Sequence, residues 1–273
     1  LSGPTATVLE RILAQTRSEV ERRKRELPLD AASLAGAPAS AGGHRFRDAL
    51  AGEGIGVIAE FKRRSPSAGA LREAPQLSEI VSAYQRGGAI AVSVLTEGPN
   101  FEGALEDLAG ARAACELPLL RKDFIVDVYQ LHEAVMAGAD AVLLIVAALQ
   151  ASELASLHAT AQELGLDVLV EVHDSDELAT ALGLGAEIVG INNRDLRDFS
   201  VDVARTEALM DEVPGGVIVV SESGIARAEQ LWRLRECGVQ AVLVGESLMR
   251  SADPAAALRA LTAEAVGTDV TPP

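Results

Sequence analysis

Cysteine, lysine and aromatic side chains are all scarce in this 273-residue chain, and each shortage excludes something. The two cysteines, Cys115 and Cys237, are isolated and form no CxxC pair, which argues against a disulfide scaffold or a thiolate-bound zinc and fits a reducing compartment. With no secretory h-region in view, the expectation is a cytoplasmic protein. Five Phe, two Tyr and one Trp leave the core to be built from Val, Leu, Ile and Ala. No apolar run comes near the roughly 20 residues that a membrane-spanning helix requires. Familiar motifs are missing too. There is no GxxxxGK, GxSxG or HExxH, and the GEGIG string at residues 52–56 precedes its strand instead of following it. The four histidines do not fall at metal-ligand spacing, and His173, near a strand end, reads as loop structure.

Positive charge is also in deficit. The formal net charge of −16 opposes nucleic-acid binding, yet a few converging cations and helix N-termini can make a positive cleft inside an acidic shell. Only three of the 24 basic residues are lysines, and two of these, Lys62 and Lys122, end the apolar runs VIAEFK and LPLLRK. A primary amine kept at two strand ends, in a chain that writes nearly every other cation as Arg, points to an ammonium meant to titrate, because Arg stays protonated. Further cations cluster at Arg63 and Arg64, at Arg121, and at Arg194 and Arg197.

What is abundant is regular alternation. A helical stretch, TVLERILAQTRSEVERRKREL, carries Leu9, Ile12, Leu13, Thr16 and Val20 at helical spacing and ends at Pro28; a tract rich in Ala, Gly and Ser follows from Asp30 to Gly43. Strands are then expected at GVIAEF, AVSVL, LPLLRK, AVLLIV, DVLVEV, EIVGIN, GVIVVSE and AVLVG, each followed by an amphipathic helical stretch. None shows clean period-two polarity, as befits strands covered on both faces. Strand followed by helix, eight times over, predicts an α/β fold: a closed (β/α)8 TIM barrel with an N-terminal helical extension at 1–50 and the barrel domain at 51–273. Gly88-Ala89, Gly138-Ala139, Gly185-Ala186 and Gly238-Val239 end helices before strands two, four, six and eight, which suggests a quarter-barrel repeat.

In such a barrel, ligand groups come from the C-terminal ends of strands and the phosphate seat from the loops after strands seven and eight. Lys62 and Lys122, on alternate strands, are expected to face each other and to lower one another's pKa, so that one donates a proton while the other neutralises a carboxylate. Glu171, ending strand five, suits a general base. Glu60, two residues before Lys62 on the same strand face, suits orienting that amine or a substrate hydroxyl. Glu222 ends strand seven. Asn192, which both donates and accepts, suits a sugar hydroxyl or an enol oxygen, while Asn193, Arg194 and Asp195 read as turn scaffold. Backbone N–H groups at helix starts, in SESGIA and VGESLM, offer Ser223, Gly224, Gly245 and the N–H of Glu246 to a phosphate, with Ser65 covering it from the first loop.

The strings AEFKRRSPSAG, VSVLTEGPNFEGALEDL, LLRKDFIVDVYQ, GADAVLLIVAAL, LGLDVLVEVHD, GINNRDL, SESGI and VGESLM, in this order from about Val8 to Met249, resemble the indole-3-glycerol-phosphate synthase family of tryptophan biosynthesis. The resemblance implies ring closure of 1-(2-carboxyphenylamino)-1-deoxyribulose 5-phosphate with loss of carbon dioxide and water, and no metal or organic cofactor. It aligns Lys122 with the general acid that protonates the ribulose C2 oxygen, Lys62 with the lysine that meets the anthranilate carboxylate, and Glu171 with the base that helps the new ring become aromatic. Glu60, Asn192 and Glu222 align with residues holding the reacting centre. Ser65, Ser223, Gly224, Gly245 and Glu246 align with the phosphate seat, and Pro66, Phe124 and Leu143 with the wall against the anthranilate ring. The implied substrate is a small phosphorylated molecule; from charge and the lack of an apolar span neither nucleic acid nor membrane is expected as a partner, a monomer is expected although the sequence does not fix the oligomeric state, and the length is expected to leave no room for a fused second barrel.

Two departures stand out: Val135 in HEAV, where the family often has Arg, and the Gly98–Asn100 loop. Two other readings exist, a sugar-phosphate isomerase on the same barrel and a barrel that binds a phosphorylated ligand without catalysis. Related isomerases use a Cys or Asp pair, and no strand end here offers Cys.

Overall fold

The computed structural model describes residues 7–29, 43–195 and 200–263; the tract at 30–42 and Arg197 lie outside them. Eight parallel strands close into a barrel: β1 (Gly56–Phe61), β2 (Ala91–Leu95), β3 (Leu119–Lys122), β4 (Ala141–Ile145), β5 (Asp167–Val172), β6 (Ile188–Asn192), β7 (Ile218–Glu222) and β8 (Ala241–Val244). Each pairs with its sequence neighbours, and β1 completes the ring on β8 through the register Gly56↔Ala241 to Ala59↔Val244. All eight expected strands are present, with ends displaced by no more than two residues. A small antiparallel hairpin, Arg64–Ser65 with Gly69–Ala70, follows β1.

The helices are α1 (Val8–Glu26), α2 (Arg45–Leu50), α3 (Leu77–Gly87), α4 (Leu105–Ala114), α5 (Val128–Met136), α6 (Ala151–Glu163), α7 (Ser175–Gly183), α8 (Ala204–Leu209), α9 (Ala228–Glu236), α10 (Glu246–Arg250) and α11 (Pro254–Ala263). The sequence reading leaves α2 unassigned. It is too short to show a period, yet Phe46 and Leu50 are buried and packed with the barrel interior. Its arginines bind the bottom of the barrel: Arg45 pairs with Asp140 at 2.9 Å, and the Arg47 N–H donates to Asp167.

Two apolar layers explain why the strands read as continuous hydrophobic runs. Val57, Ala59, Val92, Val142, Leu144, Val168, Val170, Val189, Val219 and Val242 pack outward against the helices. Ile58, Ala91, Leu120, Ala141, Leu143, Leu169, Ile188, Val220, Ala241 and Leu243 fill the interior. Successive residues of a strand point to opposite faces, so the residue two places beyond an interior apolar residue also points inward, nearer the mouth. Ile58 is thus followed inside by Glu60 and Lys62, Leu120 by Lys122, Leu169 by Glu171 and Val220 by Glu222. Arg121, out of phase, points outward and is buried against Thr96, Asp123, Glu133 and the Gln130 carbonyl.

Gly88, Gly138, Gly185 and Gly238 all take φ between +81° and +92°, and the next residue donates back to the carbonyl five earlier, as in Ala89 N–H to Tyr84. This is the Schellman stop expected of them. Gly165, before β5, does the same with Leu166 N–H to Ala161. The motif therefore marks helix ends in general, and the quarter-barrel period is not its cause.

Helix α1 starts with a capping box between Thr7 and Glu10. Its C-terminal half is fastened to α5 and the loop before it. Arg23 pairs with Glu133 at 2.8 Å, Lys24 with Asp127 at 2.5 Å, and the Tyr129 hydroxyl donates to the Leu27 carbonyl. That anchorage leaves the N-terminal half lying over the barrel mouth.

Candidate active site

A cavity of about 450 Å³ opens at the C-terminal ends of the strands. All fourteen residues singled out from the sequence line it: Glu60, Lys62, Ser65, Pro66, Lys122, Phe124, Leu143, Glu171, Asn192, Glu222, Ser223, Gly224, Gly245 and Glu246. The inward alternation just described brings together groups that are up to 186 positions apart.

At the centre, Lys122 Nζ lies 3.3 Å from Glu171 Oε2 and 3.2 Å from Glu222 Oε2. Lys62 Nζ pairs with Glu60 Oε1 at 2.5 Å. Asn192 donates from Nδ2 to Glu171 Oε1 at 3.0 Å, and its Oδ1 accepts from the Ser223 hydroxyl and the Arg194 N–H. The three carboxylates are each at most 3% exposed. Such burial is tolerable only because each has an ammonium or amide partner.

The electrostatics differ from expectation at Lys122. Burial disfavours its ammonium, but the charges of Glu222, Glu171 and Glu60 outweigh that cost and hold the amine above the ordinary lysine range. The second lysine does not depress it, because carboxylates stand around it. Glu171 feels the burial penalty most, yet Lys122, His173 and Asn192 together bring it below the ordinary carboxylate range. Glu222 goes the other way. Burial dominates, Lys122 offsets it only in part, and Glu171 and Glu60 add repulsion, lifting it to about 7. Two carboxylates share one ammonium, and one of them is left ready to take a proton.

Two glycines make room for these carboxylates. A Cβ on Gly190 would stand 2.2 Å from Glu222 Oε1, and one on Gly245 would stand 2.5 Å from Glu60 Oε1. Gly245 thus serves the acid cluster as well as the loop after β8. Ser223 sits at φ +68°, a strained conformation for a residue with a Cβ, and Gly224 follows at +81°. This turn puts both residues of the β7 loop on the cavity. The Glu246 carboxylate pairs with Arg250 at 3.2 Å, while the first N–H groups of α10, as at any helix start, have no intrahelical partner.

The apolar wall includes Phe124 and Phe101, whose ring centroids are 6.4 Å apart. Phe101 reaches it because Glu97 accepts from Asn100 N–H, Asn100 Nδ2 and Phe101 N–H, which orders the Gly98–Asn100 loop. Val135, the other departure, is buried in the outer layer away from the cavity.

A profile of the family described as indole-3-glycerol phosphate synthase matches residues 9–261. The chain belongs to that family. It is 48% identical to indole-3-glycerol phosphate synthase 2 of Streptomyces coelicolor, over 93% of this chain and 98% of that protein. It is 47% identical to the Micrococcus luteus synthase, over 94% and 97%, and 49% identical to the Acidithiobacillus ferrooxidans synthase, over 93% and 98%. Among solved structures, thiamine phosphate pyrophosphorylase from Pyrococcus furiosus superposes with a TM-score of 0.61 at 18% identity, covering 81% of this chain and 98% of its own, a likeness of fold alone.

Three groups were missed or misread from the sequence of this synthase-family chain. Val8, Leu9 and Ile12 of α1 line the cavity, so the extension supplies part of the wall. Their apolar stripe was visible, but which surface it covers was not. Arg194, read as turn scaffold, also lines the cavity, while its neighbour Asn193 is scaffold as expected, bonded to Ser221, Thr206 and the Ser223 carbonyl. His173 is no mere loop residue. Its Nε2 lies 3.4 Å from Glu171 Oε1 and its Nδ1 3.0 Å from Glu177 Oε2, and although burial opposes its charge, those two carboxylates raise it to about 10.

Proposed function

We propose that this cavity performs the indole-forming ring closure with Lys122 as general acid and Glu171 as general base. The reaction converts 1-(2-carboxyphenylamino)-1-deoxyribulose 5-phosphate to indole-3-glycerol phosphate, releasing carbon dioxide and water, and makes the chain a carbon–carbon lyase. The observation that carries the assignment of roles is the Lys122 ammonium placed between Glu171 and Glu222 inside the substrate-sized cavity.

The ring carbon bearing the carboxylate attacks the ribulose C2 carbonyl, and the developing alkoxide takes a proton from Lys122. A strongly held ammonium is always loaded, and an alkoxide is basic enough to unload it. Electrons of the carboxylate then flow into the cationic ring as carbon dioxide leaves. Lys62 would meet that carboxylate, exchanging Glu60 for the substrate. In the dehydration, a second proton converts the hydroxyl to departing water while Glu171 removes a proton from the adjoining CH2, and the 3.3 Å contact allows that proton to return to Lys122. Glu222, its carboxyl raised by burial and only partly offset by Lys122, stands 3.2 Å from the ammonium as a second proton acceptor. Asn192 holds a hydroxyl, and Ser65, Ser223, Gly224, Gly245 and the Glu246 N–H seat the phosphate, with Arg194 as a counter-charge. Pro66, Phe124 and Leu143 flank the anthranilate ring, and folding the flexible substrate against them supplies the proximity term. Two free thiols, Cys115 buried and Cys237 exposed, support a cytoplasmic setting.

The test is a single-turnover assay that follows the indole chromophore and released carbon dioxide together. One equivalent of each is expected per substrate consumed, with pathway isomerase substrates inert. Substrate bound without either product would leave a binding barrel and refute catalysis.

A further inference from the structure

The mechanism uses Glu171 as a base at a moment when its main counter-charge is gone. Once Lys122 has passed its proton to the substrate oxygen, the buried carboxylate of Glu171 faces a neutral amine at 3.3 Å. A carboxylate 1% exposed would then tend to capture a proton before it could take one from carbon. Something else must keep it charged.

His173 follows Glu171 by two residues, so it shares the inward face at the end of β5. It does not line the cavity, and its ring meets Glu171 at Oε1, the oxygen opposite the one that faces Lys122. Its Nε2 is buried, 3.4 Å from Glu171 Oε1, and makes no well-aligned hydrogen bond. Glu177 of α7 holds the residue at two points: Oε2 accepts from the His173 backbone N–H at 2.8 Å and contacts ring Nδ1 at 3.0 Å. Glu177 is in turn placed by the N-cap of α7, where its N–H donates to Asp174. The result is a line Glu177, His173, Glu171, Lys122, running from the half-buried surface into the site. The titratable groups facing this line are Glu222 from β7, 3.2 Å from Lys122, and Glu60 from β1, whose charge Lys122 also feels and which is itself paired with Lys62.

We propose that His173, braced by Glu177, is a positioning residue that keeps the Glu171 carboxylate ionised and aligned while Lys122 is without its proton. The imidazolium supplies one charge to Oε1 while Lys122 serves Oε2, so the base survives the first proton transfer. The ring neither touches the substrate nor consumes a proton. Across a turnover the books balance through Lys122 and Glu171: two protons go to the departing oxygen, one comes back from carbon, and the remaining one, matching the carboxylate lost as carbon dioxide, enters from solvent.

This rests on the assignment of Lys122 as acid and Glu171 as base. The test compares His173→Gln, which keeps an amide donor but cannot carry charge, with Glu177→Gln, using kcat and KM from pH 9 down to about pH 3.5, where the acidic limb of a carboxylate held below its ordinary range begins. Loss of a cation at this distance raises a carboxylate pKa by about 1–3 units, so the acidic limb of kcat moves to higher pH by about that much. The deficit of His173→Gln is therefore expected to be about 10-fold or more at low pH and to shrink as pH rises, with KM within about 2-fold. Glu177→Gln shifts the limb in the same direction by less. A uniform loss of kcat at every pH, or an unmoved limb in a folded His173→Gln, overturns the proposal. A separate arm uses Glu171→Gln. If that variant keeps its activity, the base assignment itself has failed; if it is inactive while the His173→Gln limb stays in place, only the role of His173 has.

Discussion

Replacing Lys122 by Met removes one ammonium and keeps most of the stem, which makes it the sharpest probe of the site. At an effective dielectric of about 20, each contact near 3.2–3.3 Å is a gross attraction of about 5 kcal/mol, most of it offset by desolvation. Breaking a buried pair from one side costs about 3–5 kcal/mol when the orphaned charge has no escape. Here it has one. Glu222, already raised to about 7, takes a proton at little cost, and Glu171 keeps His173 and Asn192. The expected loss at pH 7 is therefore nearer to about 1–3 kcal/mol, or roughly 2–12 °C in Tm for a domain of this size. The sign with pH follows. A carboxylate whose folded pKa lies above its unfolded value contributes stability that is present at low pH and lost as pH rises through the folded value. The Tm gap between wild type and Lys122→Met should thus widen from pH 6 to pH 9. Turnover should fall by about 10²–10⁴ while substrate affinity changes little, because the ammonium acts on an oxygen that becomes basic only in the transition state. Indole fluorescence gives kcat, and calorimetric titration with the product gives affinity. Equal losses in kcat and affinity would refute the acid role. A Tm gap that narrows with rising pH would refute the electrostatic account.

Other residues offer independent checks. Gly190→Ala places a methyl 2.2 Å from Glu222 Oε1, and the displaced carboxylate should cost about 1–3 kcal/mol by overpacking and at least about 10-fold in kcat, measured by thermal melts and steady-state assay. Removing two of the three anchors of α1 in Arg23→Ala with Lys24→Ala should loosen the helix over the cavity, raising KM several-fold with kcat within about 3-fold; both cations are partly exposed and the buried Glu133 keeps Arg121, so the stability loss should be about 1 kcal/mol. The charge of His173, held up to about 10 by Glu171 and Glu177 against burial, adds stability that is complete below about pH 6.5 and lost as pH rises towards 10. Melting curves of wild type and His173→Gln should therefore converge at alkaline pH.

The amino-acid order alone was enough for the barrel, its eight strands and the residues at their mouths, because strand periodicity, helix-stopping glycines and polar residues after apolar runs are all local signals. Period two then dictates that Glu60, Lys62, Lys122, Glu171 and Glu222 share the inner face once the ring closes. What locality cannot carry is the field each group feels. The sequence pairs the two lysines as mutually repelling cations, whereas the closed barrel puts three carboxylates around Lys122 and raises its pKa. It ranks Glu222 as a holder of the reacting centre, whereas burial, only partly offset by Lys122 and reinforced by repulsion from Glu171 and Glu60, raises its carboxyl above the ordinary range. His173 and the α1 stripe look ordinary in one dimension and become part of the site only through contacts to Glu171 and to the cavity. Charge interactions depend on distance and on excluded water, and both are properties of the assembled barrel.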